Sequence, residues 1–224
     1  MPLKFPFAIV MALITTPVGD ARAGASLLVD DAAITPAGHC QVEAWARAYA
    51  PGQELTAVPA CNLAGTEFGL GLSQYAHPSH GPIASLGLKH LLRDFDTHDW
   101  GLGVSLATTW NGAHNHGEGW ALNVPASVAL DPQRRTVLHA NLGWSEPRNG
   151  PDALTGGLGI EHVLAAEWTL LAEAFGDHRG GFTAQLGVRR ALNDRASLDL
   201  MLGHQDGMKH APWLTVGLNV LLPN

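Results

Sequence analysis

After residue 23 the chain has no uninterrupted apolar run long enough to cross a bilayer as a helix, which takes about 20 residues. It has only two cysteines, so neither a four-cysteine zinc site nor a disulfide-dense scaffold can be built. Charged residues make up 15% of the sequence, Lys and Arg are nowhere clustered, and the formal net charge is −7. That balance argues against nucleic acid as a partner and against recruitment to anionic lipid surfaces. There is no G-x-S-x-G elbow and no helical apolar stripe. What is present is glycine, 26 residues of it, and a two-residue alternation of apolar and polar side chains. Low charge, many glycines and period two suit a closed sheet better than a soluble α/β domain.

The amino-terminal 23 residues read as a secretory signal. Lys4 supplies the positive end, Phe5 to Ile14 the apolar core, and Ala21-Arg22-Ala23 the small-x-small cleavage site. A single membrane anchor is the alternative, but the apolar run is short and ends at Thr15-Thr16-Pro17. Cleavage near Ala23 leaves 11 basic and 19 acidic residues. Export is compatible with a disulfide between the two cysteines; two free thiols are the alternative.

The stretch from Cys40 to Cys61 reads as a hairpin. Gln41, Glu43, Trp45, Arg47 and Tyr49 share one parity, and Cys40, Val42, Ala44, Ala46 and Ala48 the other. Folding about Ala50-Pro51 sets Cys40 opposite Cys61, Val42 opposite Pro59 and Ala44 opposite Ala57, which brings the cysteines within disulfide reach. Closing that loop stabilises by about 3 kcal/mol in the chain-entropy model. Residues 24–39, before the hairpin, form either a partial plug in a barrel mouth or a periplasmic tail.

The same two-faced pattern recurs to the end of the chain. Phe68, Leu70 and Leu72 oppose Glu67, Gly69 and Gly71; Leu138, Ala140 and Leu142 oppose His139 and Asn141; Leu214, Val216, Leu218 and Val220 oppose Thr215 and Asn219. About twelve such segments follow one another, each near the ~10 residues a tilted membrane strand needs. The connections alternate between short ones, such as NLAG and LNDRA, and generally longer ones rich in Gly, His and Pro. Trp100, Trp110, Trp120, Trp144, Trp168 and Trp213 fall near segment ends, as an interfacial aromatic girdle requires. A soluble sandwich or lipocalin-like barrel also alternates. The charges discriminate: Glu43, Arg47, Glu67, Lys89, Glu161, Glu173, Arg189 and Asp199 all lie on the parity opposite the Leu/Val face, which places them in a polar lumen inside lipid. The predicted fold is an all-β transmembrane antiparallel up-and-down barrel spanning 40–224.

The run Asp30-Asp31-Ala32 through Pro36-Ala37-Gly38-His39-Cys40-Gln41-Val42-Glu43-Ala44-Trp45, with Val58-Pro59-Ala60-Cys61-Asn62, resembles the outer-membrane barrel family named for the meta-cleavage pathway of phenol degradation. Lys89, Glu173 before Phe175-Gly176, and Asp199 extend the resemblance more loosely. It implies an outer-membrane barrel and uptake of a small molecule, aromatic compounds among the candidates. Outer-membrane lipids, the permeant and the barrel assembly machinery are the implied partners. The chain ends Leu221-Leu222-Pro223-Asn224, without the terminal aromatic residue usual in such barrels.

Three chemistries compete for the polar residues. The lumen ions named above either form a charge- and size-selecting constriction or a salt-bridge network that fills a narrow barrel. Glu173, Arg189 and Asp199 fall on consecutive strands and can pair across them. His114-x-His116 and His77-x-x-His80 have transition-metal spacing, but no cysteine or carboxylate joins them, so no metal or other cofactor is expected. His139, Ser105, Ser127 and Ser145 are catalytic candidates on the lumen parity, and nothing in the sequence fixes a nucleophile, base and orienter. The reading is a channel or transporter rather than an enzyme, with a closed structural or binding barrel, or a rim hydrolase, as alternatives.

Overall fold

The computed structural model describes residues 26–49, 52–76, 81–112, 116–206 and 212–223. The signal read in residues 1–23 lies outside them. Twelve strands follow in chain order: β1 (Cys40–Tyr49), β2 (Gly52–Leu63), β3 (Thr66–Tyr75), β4 (Ile83–Arg93), β5 (Trp100–Asn111), β6 (His116–Ala129), β7 (Thr136–Pro147), β8 (Ala153–Ala165), β9 (Trp168–Asp177), β10 (Phe182–Asn193), β11 (Ala196–Gln205) and β12 (Trp213–Leu221). Each pairs antiparallel with its sequence neighbours, and β1 pairs with β12 from Gln41–Leu221 to Tyr49–Trp213, closing the barrel. Closure removes the unpaired edges that an open sheet would expose.

The parity read from the sequence sets which face is which. Leu202 is 65% exposed and Leu86 62%, with Leu70, Leu142, Leu158 and Val216 also turned outward. A soluble protein seldom exposes so continuous an apolar surface, whereas a barrel in lipid requires one. Cys40 and Cys61 stand opposite each other on β1 and β2 and are disulfide-bonded, their Cα atoms 4.0 Å apart. By parity the bond lies on the outer face, at the end of the barrel where β1 begins and β12 ends.

Two prolines sit inside strands. Neither Pro59 nor its neighbour Val58 has a partner in the β2–β3 register, and Pro125 has none in the β5–β6 register, although Pro59 faces Val42 and Pro125 faces Asn141 on the other side. Proline has no N–H to give a ladder, so each is tolerated by leaving one of its two pairings open.

Two expectations need correction. Trp213 does not join the outward girdle: it is 8% exposed and faces inward with Thr215, packed against Gly203. Its parity already placed it there. Trp100, Trp110, Trp120, Trp144 and Trp168 do face outward. The contrast between short and long connections is also weaker than expected. Residues 94–99 and 130–135 at the terminal end are as long as most loops at the other end, and β1 and β2 are separated by residues 50–51 alone. β6 begins four residues before the apolar alternation does, because the glycines of His116-Gly117-Glu118-Gly119 carry strand geometry without an alternating signal.

Candidate functional site

Residues 26–39 do not extend the sheet. Residues 26–35 run inside the barrel, where their backbone N–H and C=O groups have no strand to pair with and must find partners on the wall, and the exposed residues 36–38 turn into β1. Glu173 of β9 accepts the N–H groups of Leu28 (2.7 Å) and Val29 (2.8 Å) on its two carboxylate oxygens. Asn141 of β7 accepts from Asp30 N–H at 2.8 Å and returns its Nδ2 to Asp30 C=O at 2.7 Å. Ser127 of β6 accepts from Ala32 N–H at 2.8 Å, and Glu67 of β3 from Thr35 N–H at 2.6 Å. Asn62 of β2 donates to Thr35 C=O at 2.7 Å, and Gln185 of β10 to Ser26 C=O at 2.6 Å. The polar wall thus supplies, one side chain at a time, what a neighbouring strand would supply as a ladder.

The apolar contacts are cut to fit. Val29 is buried against β8 where Gly157 and Gly159 follow one another on the lumen face. A Cβ on Gly157 would stand 2.9 Å from a Val29 methyl group, inside contact distance, so only glycine lets the segment approach this closely.

The charged residues fall into three groups. Lys89 of β4 donates to Asp30 at 2.6 Å and Asp31 at 3.1 Å, tying the segment to the wall by charge-assisted hydrogen bonds. Arg189 of β10 binds Asp199 of β11 through Nε at 2.8 Å and Nη2 at 3.1 Å, and reaches Glu161 of β8 at 3.2 Å. Asp199 also accepts from the Ser26 hydroxyl at 2.7 Å. Arg47 of β1 lies 3.7 Å from Glu54 of β2, over the Trp213 ring, and bonds Thr215.

The predicted lumen residues are therefore all placed, though not all in the expected pairs. Glu161 and Asp199 meet at Arg189. Glu173 does not join them; it holds the inserted segment and accepts from Gln185. Glu43 and Arg47 share a face, but Arg47 turns to Glu54, and Glu43 takes a hydrogen bond from Gln41 at 3.2 Å. Sequence reasoning missed Asp30 and Asp31 as the partners of Lys89, and Glu54 as that of Arg47. The segment before β1 has no periodicity to place it, and Glu54 lies at the start of β2.

A cavity of roughly 330 Å³ remains beside the segment. One wall is residues 27–33; the other is built from β1 to β5, including Glu43, Trp45, Glu67 and Lys89. The Nε1 of Trp45 is buried and has no hydrogen-bond partner among the described residues.

Ser127 and His139 approach to 2.8 Å through Oγ and Nδ1. Ser127 is already covered by Ala32, and no described residue orients His139 from Nε2. His77, His80 and His114 lie outside the described residues; His116 opens β6, 3.7 Å from Glu118. Among the described residues no cluster of three or more His, Cys, Asp or Glu side chains could hold a metal ion.

A family model described as "Uncharacterised conserved protein UCP029691" matches residues 9–222. No curated protein matches the chain. Among solved structures, the KdgM porin superposes with a TM-score of 0.67 at 8% identity, covering 82% of this chain and 99% of that one. The COG4313 outer membrane channel from Pseudomonas putida F1 gives 0.55 at 11%, covering 86% and 98%. The CymD monoaromatic hydrocarbon channel gives 0.55 at 7%, covering 85% and 90%. At such identities the likeness is one of fold, that of outer-membrane barrels.

Proposed function

The chain belongs to the family described as "Uncharacterised conserved protein UCP029691", and from that premise and the barrel's own geometry we propose that it is an outer-membrane channel for a small molecule. The observation that carries this is the cavity beside residues 26–39: the barrel is lined with polar side chains and filled by an inserted segment, yet space persists along β1 to β5. In this reading the end bearing the termini faces the periplasm, and residues 26–39 act as a partial plug. Glu43, Glu67 and Lys89 line the path. Glu161, Arg189 and Asp199 brace the opposite wall, and Glu173 seats the plug.

The COG4313 and CymD barrels are channels by name, the latter for monoaromatic hydrocarbons, which supports a channel role here and keeps small aromatic compounds among the candidate permeants. The resemblance to the phenol meta-cleavage family points the same way. Catalysis is not part of the proposal, because Ser127 is covered and His139 lacks an orienting partner among the described residues.

Liposome swelling with purified, refolded protein tests the reading, using small sugars and small aromatic solutes. Swelling that falls with solute size supports it, and removal of residues 24–35 should raise the rate. A barrel that is folded, as judged by a gel mobility that changes on boiling, yet passes no solute would overturn it. That result would favour a second reading, a closed structural or binding barrel, for which the hydrogen bonds from the segment to β2, β3, β6, β7, β9, β10 and β11 speak.

A further inference from the structure

We propose that the cavity beside the inserted segment selects for cations, small inorganic ones and ammonium-bearing organic solutes, and that Glu43 sets this preference; the proposal rests on the channel reading above. Four carboxylates, Glu43, Glu67, Asp30 and Asp31, border the space against a single cation, Lys89. They are not equally occupied. Lys89 is engaged by Asp30 and Asp31 at 2.6 and 3.1 Å. Glu67 accepts the N–H and hydroxyl of Thr35. Glu43 has the hydrogen bond from Gln41 and, among the described residues, no cation within ion-pair distance.

Two residues further along the same face of β1, Trp45 also borders the cavity with its Nε1 unmatched. Glu43, without a paired cation among the described residues, and the indole of Trp45 thus border one space, and a buried carboxylate without a countercharge is costly. A cation supplies what Glu43 lacks and reduces the repulsion among the four carboxylates. The indole adds an electron-rich face for the positive group. An anion meets the reverse of each term. Beside Lys89 on β4 the wall is kept low: nothing lies within 4 Å of where a Cβ on Gly87 would stand, so the charged groups border open volume there.

The test is the reversal potential of the full mature chain in a planar bilayer under an about tenfold KCl gradient. The potassium-to-chloride permeability ratio should exceed ~3, fall at least about twofold in Glu43→Gln, and be retained in Glu43→Asp, which keeps the charge. A wild-type ratio at or below about one would overturn the proposal while leaving a conducting channel, and needs no variant to fold. So would a Glu43→Gln barrel as cation-selective as wild type. Absence of any conductance from a folded barrel would be a separate result, removing the channel reading and this proposal together.

Discussion

Arg189 and Asp199 face each other on β10 and β11 in the same register, and the guanidinium grips the carboxylate at two points, 2.8 and 3.1 Å. Asp199 is fully buried and Arg189 is 5% exposed. Removing one partner of a buried pair leaves an uncompensated charge and costs about 3–5 kcal/mol. Arg189→Ala should therefore lower urea stability by that order, and Arg189→Ala with Asp199→Ala by less than the sum of the two single losses. Equal and additive losses would show that the two side chains act independently.

Glu173 holds two backbone N–H groups of the inserted segment. Leaving a buried donor unmet costs about 1–3 kcal/mol, so Glu173→Ala should loosen the segment more than it loosens the wall. Limited proteolysis of the folded barrel should then cut within residues 26–35 several times faster than in wild type. Unchanged protection would mean that Asn141, Ser127 and Lys89 suffice to hold it.

The disulfide joins residues 21 apart in sequence on adjacent strands. Replacing both cysteines with serine should cost about 3 kcal/mol by loop entropy, or less where the register is independently held. Thermal loss of the folded gel form, compared with and without reductant, measures this. A shift in the double mutant on adding reductant would point to something other than the bond.

Ala64 and Gly65 both have positive φ, 54° and 84°, in the two-residue turn between β2 and β3. A left-handed conformation costs a residue with a Cβ roughly 1–2 kcal/mol, and glycine is free of that penalty. Ala64→Gly should stabilise the barrel by a fraction of this amount, since glycine also gains entropy when unfolded. A drop in melting temperature would show that the turn relies on the Ala64 methyl group.

Asp131 anchors the turn 130–135 by accepting the N–H of Arg135 at 3.0 Å and of Thr136 at 2.7 Å, and these bonds hold its carboxyl below the usual carboxylate range. A depressed folded-state pKa gives stability that is present above the unfolded value near 3.9 and lost as pH falls through the folded value. The stability gap between wild type and Asp131→Ala should hold steady above about pH 5 and narrow below about pH 4. A gap that widened on acidification would reverse the sign.

The barrel was legible in the sequence because period two is imposed by the strand itself, and lipid on one side with polar lumen on the other makes the alternation strict. Cys40 and Cys61 could be paired because a two-residue connection leaves little freedom of register. The interior was harder to read. Parity places Glu173, Asn141 and Ser127 on the lumen face but does not say what each will touch, since their partners lie 95 to 145 residues away on a segment without periodicity. Trp213 shows the opposite failure: it lies at a strand end, where a girdle residue is expected, yet its parity turns it inward.

Residues 26–39 continue directly into β1, where His39 C=O accepts the N–H of Asn62 beside the Cys40–Cys61 bond. The inserted segment is thus leashed at its root to the most cross-linked corner of the wall. If it leaves the lumen, it remains within a few nanometres of its seat, and its return is an intramolecular event at an effective concentration on the order of millimolar. A solute competing for that seat must outbid a ligand that never diffuses away, whereas one cut in the leash would turn the same contacts into an ordinary, dilutable peptide complex.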